Sequence, residues 1–498
     1  MERFNEILSI INDQVLLTII GIAFGIQLFY ILLFFVRAKT YKKAEVKHKF
    51  GIVIPARNEA EVIGDTIKRL LKSDYPRELF DIFVVADNCT DNTAEIARAA
   101  GAIVYERSDP DPKHHRAGYA LKYLFEKIRE NHAGYEAFIK FDADNLMELD
   151  YISRMNDAFD AGVKCARGYS NSKNIDQNII TGISGLWYIR DCRFASNFRS
   201  AIGQGTMLGG AGMMFSAEII EKHGGWDCLS ASDDTEFTMR RLNEDKIKTM
   251  YVKDAVVYED QPSTLKDTFK RYKRMARALN SLFYTQGIKS FFLFFARWKW
   301  TYIDMFLTLM FIPVCVMMCT WLPVYYIYVL VYHGIMGNWA IFWTYMNSIL
   351  FSLAFAFVTM FILQALLAVA LEHKRIKAPV KKLMPTVFLF PVFMIVYAAA
   401  ITLGVFSKPK WHQVKRNVAV SSGLADASLA EAAATDGGAT YDNATPAAPA
   451  SDERDLAETN VPAAETDETE LAASEPEPKE GANAADGATV DTAGTDGE

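Results

Sequence analysis

The sequence predicts an α/β domain set between apolar helices, and three observations point to it. Short apolar runs at 50–54, 79–85 and 137–141 alternate with helical patterns at 60–71, 93–100 and 118–129. That alternation implies a mostly parallel sheet with flanking helices. Each run gives way to polar residues: Arg57-Asn58-Glu59, then Asp87-Asn88-Cys89-Thr90-Asp91, then Asp142-Ala143-Asp144. Open sheets of this kind bind ligands beyond the carboxyl ends of their strands, so the three clusters mark one candidate site. Finally, the most apolar stretches of a chain that is 51% hydrophobic lie outside this region, at 14–36 and between 302 and 406.

Taken in order, residues 14–36 are apolar for long enough to span the roughly 30 Å hydrocarbon core of a bilayer. Arg37, Lys39, Lys42, Lys43, Lys47 and Lys49 follow, which places the next segment in the cytoplasm by the positive-inside rule. The run is too long, starts too late and lacks the small-residue site of a cleaved signal peptide. Pro55 closes the first strand, and Asn92 stands at a helix-cap position. In an extended segment residues two apart share a face, so Asp142 and Asp144 project together past the small Ala143. Hard divalent cations take oxygen ligands, often one or two carboxylates completed by water and phosphate, which makes this pair the candidate holder of Mg²⁺ or Mn²⁺. Taken alone, the same pattern also fits a solvated loop.

Asp233 and Asp234 precede a helical run at 235–242, where acids also favour a helix N-terminus. His114 and His115 lie in a polar loop and read as solvated. Residues 291–300 mix Arg297 and Lys299 with aromatics, as an interfacial helix or the start of the next span does. Apolar runs at 302–332, 340–371 and 384–406 contain Pro313, Pro323, Pro385 and Pro391, tolerated at membrane depth where protein or water satisfies the freed backbone. Basic residues cluster at 372–377 and 381–382, and again at Lys408, Lys410, Lys415 and Arg416. A single crossing between the two clusters would strand one on the wrong side. Either the first stretch makes two short passes, or 384–406 is re-entrant or interfacial.

Residues 418–498 carry 19 acidic side chains against Arg454 and Lys479, a local charge of −17, and Tyr441 is their one aromatic. Such a segment cannot bury enough apolar surface to order itself and is expected to be a disordered acidic tail. The whole-chain charge of −7 therefore leaves +10 on residues 1–417, suited to an anionic membrane face and phosphate-bearing substrates. The six cysteines form no C-x-x-C pair, which argues against a disulfide framework or zinc site. Gly203-Gln204-Gly205 and Gly209-Gly210-Ala211-Gly212 lack the strand-turn-helix setting of a dinucleotide fingerprint and read instead as a loop that lets substrate approach the backbone.

Together these motifs resemble glycosyltransferase family 2, and in particular its membrane-embedded branch of chitin-, hyaluronan-, cellulose- and poly-N-acetylglucosamine-synthase-like enzymes. Ile54-Pro55-Ala56-Arg57-Asn58-Glu59 resembles the family's P-x-x-N-E element, the Asp87–Asp91 cluster its second-strand element, and Asp142-Ala143-Asp144 its D-x-D. Gly224-Gly225-Trp226-Asp227, followed by Ser232-Asp233-Asp234, is similar to its G-G-F-D and E-D-x-x-L pair. Arg271-Tyr272-Lys273-Arg274-Met275 matches the Q-x-x-R-W element of the processive enzymes only at Arg274. Arg116-Ala117-Gly118-Tyr119-Ala120-Leu121 lacks the lysine of a G-K-G-x-A-L element, and Trp411-His412-Gln413-Val414-Lys415-Arg416 only partly resembles W-x-x-T-x-R. The transferase core is thus complete, while chain elongation loses support.

The resemblance implies a GT-A fold, a nucleotide-sugar donor that is usually UDP-linked, a Mg²⁺ or Mn²⁺ ion, and inversion at the anomeric carbon. It implies that Pro55, Glu59 and Asp87 line the nucleotide site, that Asp142 and Asp144 hold nucleotide and metal, and that Arg271 and Arg274 with Asp233 bind substrate. Asp234 becomes the general base, a role worth typically 10²–10⁴-fold. The expected organisation is an N-terminal helix and basic flank at 1–47, a cytosolic transferase domain at 48–290, interfacial and transmembrane helices at 291–417 and the tail at 418–498. The expected activity is transfer of a sugar to a membrane-associated glycan or lipid acceptor at the cell membrane, by a polysaccharide synthase or a non-processive glycolipid synthase, with no nucleic-acid partner. A catalytically dead nucleotide-binding transporter or scaffold is the alternative from another class.

Overall fold

The computed structural model describes residues 2–407. The tail at 418–498 and the 411–416 motif lie outside the described residues. Eight strands form one sheet: β1 (Phe50–Ala56), β2 (Phe80–Asp87), β3 (Ile103–Arg107), β4 (Ala137–Lys140), β5 (Leu146–Met147), β6 (Cys165–Ser172), β7 (Met213–Ser216) and β8 (Thr249–Glu259). Their order is β3-β2-β1-β4-β7-β6-β8-β5. β1 is parallel to both β2 and β4, β2 to β3, and β6 to β8. β7 runs antiparallel between β4 and β6, and β5 antiparallel to β8, so the sheet is mixed. The short apolar runs become strands because both faces are covered: Ile52, Ile54, Val84 and Ile139 pack on one side, Val53, Phe83, Val85 and Phe138 on the other.

The helices expected between the first strands are Ile63–Leu71, Thr93–Ala99 and Ala117–Asn131. Pro55 does not close β1. The strand continues to Ala56 in register with β2, while pairing with β4 stops at Val53. Pro55 therefore lies where the strand is paired on one side only, a position that tolerates a missing N–H.

Among the described residues three helices are long and apolar enough to cross a membrane: Arg3–Leu32, Trp300–Ile335 and Val380–Val405. The first begins well before the apolar run at 14–36. A further helical stretch runs through Trp339–Ala356, Phe357–Ile362 and Leu363–Glu372. The aromatic segment after 290 forms its own helix, Ile288–Arg297, and Trp298 breaks it from Trp300–Ile335 by adopting a positive φ of 48°. Arg199 donates from Nε and Nη2 to the buried Asp304 carboxylate at 2.8 and 2.9 Å, and the Tyr30 hydroxyl donates to the same group. One buried carboxylate thus ties the N-terminal helix and Trp300–Ile335 to the sheet-bearing part.

Both ends of Val380–Val405 rest on that part. A Cβ added to Gly182 would meet the Thr386 hydroxyl, and one added to Gly404 would meet the Lys273 carbonyl. Between these ends, Tyr397 packs edge-on against Tyr272 with ring centroids 4.5 Å apart. The basic segment at 372–377 is docked as well: Arg375 lies 3.2 Å from Asp254, and Lys377 lies 3.3 Å from Glu148.

Candidate active site

β1, β2, β4, β6 and β8 all point the same way, so their carboxyl ends share one edge. Asn58 and Asn88, just past β1 and β2, adopt positive φ of 55° and 52°, a conformation that asparagine tolerates better than most residues. The Asn58 side-chain oxygen accepts from the Thr90 N–H at 2.8 Å, locking the two loops together. Thr93 Oγ1 accepts from the Glu59 N–H at 2.9 Å. Asn92 makes no side-chain cap. Its neighbour Asp91 accepts from the Thr93 N–H at 3.2 Å instead.

Asp87 is buried and ion-paired to Arg107, its register partner on β3. Arg107 also reaches Asp109 at 2.5 Å, and His114 Nδ1 lies 3.1 Å from the same carboxylate. His115 Nδ1 lies 3.2 Å from Arg57. The two histidines are therefore not merely solvated: they cross-link the loops around Asp87.

Beyond β4 the chain turns on Asn145, whose side-chain oxygen accepts from the Asp142 N–H at 2.8 Å and whose own N–H donates to the Asp142 carbonyl at 3.0 Å. Lys173 Nζ donates to the Asp144 carbonyl at 2.8 Å. Helix Asp233–Asp245 delivers the second acidic pair at its first turn. Because β7 enters the sheet beside β4 with Met213 opposite Lys140, the glycine loop before it lies across this edge. A methyl group on Gly210 would sit 3.5 Å from Asp142 Oδ2 and 3.9 Å from Asp234 Oδ2. The two carboxylates thus face each other across a glycine. Gly212 has φ +62°, and a Cβ there would overlap the Tyr151 hydroxyl.

Lys140 is fully buried beneath these acids and donates to Asp233 at 3.1 Å. Burial alone would lower its pKa, but the carboxylates of Asp233, Asp142 and Asp234 outweigh that and keep it charged. Asp234 is pushed up to about 6, first by burial and then by Asp233, with Lys140 and the Thr235 N–H opposing. A carboxylate poised near neutrality suits proton abstraction. Glu259, at the end of β8, is raised to about 7 by burial, with Arg271 opposing and Asp142 and Asp144 reinforcing.

Arg271 donates to Gln261 at 3.3 Å and to the Tyr188 hydroxyl at 3.1 Å, and lies 3.9 Å from Glu259. Arg274 is half-buried one turn further along the same helix, Leu265–Leu282. Among the described residues no group of three or more His, Cys, Asp or Glu converges to hold a metal. Asp142 and Asp144 supply an all-oxygen set suited to Mg²⁺ or Mn²⁺, but one that phosphate and water would have to complete.

Lys140, Glu259 and Tyr188 were not singled out from the sequence. Lys140 had a signal, as the lone charge in the apolar run 137–141. Glu259 and Tyr188 had none, because only the sheet order and the docking of helix Ile179–Asp191 bring them to this edge.

Residues 48–278 match the family model described as glycosyltransferase-like family 2, and the mixed sheet flanked by helices in this segment is the GT-A fold. The chain is 27% identical to the probable glycosyltransferase YdaM of Bacillus subtilis, over 46% of this chain and 54% of that protein. It is 26% identical to a beta-monoglucosyldiacylglycerol synthase of Nostoc sp., over 43% of this chain and 45% of that protein. The chain thus spans about half the length, or less, of the curated relatives it matches. Among solved structures, mannosyltransferase PcManGT from Pyrobaculum calidifontis in complex with GDP-Man and Mn²⁺ is similar at 14% identity and a TM-score of 0.42, covering 83% of this chain and 98% of that one.

Proposed function

We propose that the chain is a membrane-bound, inverting glycosyltransferase that moves one hexose from a UDP-sugar to a lipid acceptor. The observation that carries this reading is the facing of Asp142 and Asp234 across Gly210, at the edge where the parallel strands end. Asp234 takes the proton from the acceptor hydroxyl at Oδ2, the oxygen turned toward Gly210, while the Thr235 N–H at the start of helix Asp233–Asp245 donates to Oδ1 at 2.7 Å and holds the carboxylate in place. Lys140 offsets the charge of the three acids around it. Asp142 and Asp144 would hold Mg²⁺ or Mn²⁺, which when bound neutralises charge developing on the departing diphosphate. Pro55, Glu59 and Asp87 line the base and ribose side, Asp233 fixes Lys140, and Arg271 and Arg274 face the diphosphate as donors. Attack from the side of Asp234 opposite the leaving group inverts the anomeric carbon.

Met275 at the tryptophan position and the glycolipid synthase among the relatives favour single transfer over polymer synthesis. A dead nucleotide-binding scaffold is disfavoured, since both the metal carboxylates and the base are retained. The basic flank after the first helix supports a cytosolic domain. Trp300–Ile335 and the stretch at 339–372 read as a crossing hairpin, because the segment after them returns to the domain. Val380–Val405, touching the domain at both ends, then lies at the interface.

The test is nucleoside-diphosphate release by the purified full chain in lipid, with a panel of nucleotide sugars and Mg²⁺ or Mn²⁺, followed by product sizing. Turnover of a UDP-sugar to a singly glycosylated lipid supports the reading. No turnover of any donor, or full activity in D234N, overturns it.

A further inference from the structure

Away from the acidic edge, a cavity of about 310 Å³ opens between the segment that follows the N-terminal helix at 37–38, the helical segment 192–197, strands β6 and β8, and the end of Leu363–Glu372 with the turn after it. Five cationic side chains line it, Arg37, Arg193, Lys253, Lys374 and Arg375, against the single carboxylate of Glu372. That carboxylate is already shared: Arg193 lies 3.4 Å away and Arg375 lies 3.8 Å away. Arg375 is spent further on Asp254 at 3.2 Å and on the Lys253 carbonyl at 2.9 Å. Arg193 reaches Glu372 through Nε, and its Nη2 donates to the Phe34 carbonyl at 3.2 Å. No ion pair to Arg37 or Lys374 occurs among the described residues, and both are exposed at the mouth.

Like charges gathered at this density repel one another unless an anion joins them. The volume holds roughly ten waters at about 30 Å³ each, enough for a phosphate group with its ester oxygens. One of the converging elements is the end of the apolar helix Leu363–Glu372, Arg37 follows the apolar N-terminal helix by a short non-helical segment, and the buried Tyr169 and Tyr251 add apolar bodies with polar tips. A basic pocket beside such helices has the chemistry and the depth of a headgroup site.

We propose that this cavity binds the phosphate of an anionic phospholipid, and that the lipid thereby clamps the N-terminal helix to the segment at 372–375. None of its lining residues is among those assigned above to the acidic edge. The inference rests on the membrane placement above, but not on the chemistry assigned to Asp234.

The test is thermal unfolding of the purified full chain in neutral detergent, with short-chain phosphatidylglycerol, short-chain phosphatidylcholine or inorganic phosphate added. Phosphatidylglycerol is expected to raise the midpoint saturably, by at least about 3 °C, with phosphatidylcholine and phosphate giving no comparable rise. The double variant R37Q/K374Q should lose the rise while unfolding at the unliganded midpoint of the parent, and R37K/K374R should keep it. Equal response to the two lipids, a rise in R37Q/K374Q as large as in the parent, or reproduction of the effect by inorganic phosphate alone overturns the assignment. Flotation with phosphatidylcholine vesicles tests the membrane placement separately: a chain that floats but shows no phosphatidylglycerol effect refutes the cavity proposal alone.

Discussion

Lys140 Nζ lies 3.1 Å from Asp233 Oδ2, and both side chains are buried under the edge of the sheet where Asp142 and Asp234 also stand. One ammonium thus serves several carboxylates, and its placement determines how far each can hold charge. Asp233, adjacent to the proposed base, is the acid it touches. The proposed base keeps a raised pKa because burial and the charge of Asp233 outweigh the opposing charge of this lysine.

The first consequence concerns pH. With Asp234 raised to about 6, kcat/KM is expected to fall as pH drops through that value, because the base becomes protonated. D234N should lower kcat by roughly 10²–10⁴-fold with little change in donor KM. A folded-state pKa above the unfolded one means that Asp234 costs stability once ionised, so D234N should unfold later than the parent above pH 6 and match it below pH 4. Pre-steady-state rates and melting curves across pH 4–8 check both.

Removing the ammonium should act in the opposite direction. K140M leaves Asp233 buried without its partner, expected to cost about 3–5 kcal/mol. It should also move the acidic limb of the pH–rate profile above 6, because an opposing positive charge has gone. Adding D233N should restore much of the stability, and a double-mutant cycle measures the coupling.

Gly210 supplies a steric test. A methyl group there would enter the gap between Asp142 and Asp234 with no backbone penalty from positive φ. Both contacts are ordinary van der Waals distances, so G210A should fold with an unchanged melting midpoint, and it should lower kcat by about tenfold by occupying space that reacting groups need between the two carboxylates.

Asp142 and Asp144 should govern donor binding. D142N and D144N are expected to weaken binding of a UDP-sugar in the presence of Mn²⁺, while the parent stripped with chelator behaves the same way. Calorimetric titration with and without Mn²⁺ checks this, and equal affinity in all four conditions would count against a metal at this pair.

Membrane topology offers a last check. Single cysteines placed at 337 and at 374, on a background without the six native ones, should label from opposite sides of a sealed vesicle if 300–335 and 339–372 form a crossing hairpin. Labelling of both from the same side would remove that arrangement.

The strand-end clusters at 57–59, 87–91 and 142–144 were legible in the sequence because each follows its strand directly, and local alternation of apolar and polar residues is enough to locate a strand end. The pair Asp233–Asp234 was legible for a different local reason, as acids opening a helix. The polar clusters and the resemblance to the transferase family therefore came from local pattern and motif order. What local pattern could not contain was the antiparallel β7 between β4 and β6, which lays Gly210 between Asp142 and Asp234, or the parallel pairing of β6 with β8, which carries Glu259 to the same edge. Nor could it contain the contacts through Thr386, Tyr397 and Gly404 that hold Val380–Val405 against the domain. The sequence by itself determined which residues carry charge and where strands stop. Only tertiary structure decided which charges meet, because pKa values and proton transfer depend on distances between segments far apart in the chain.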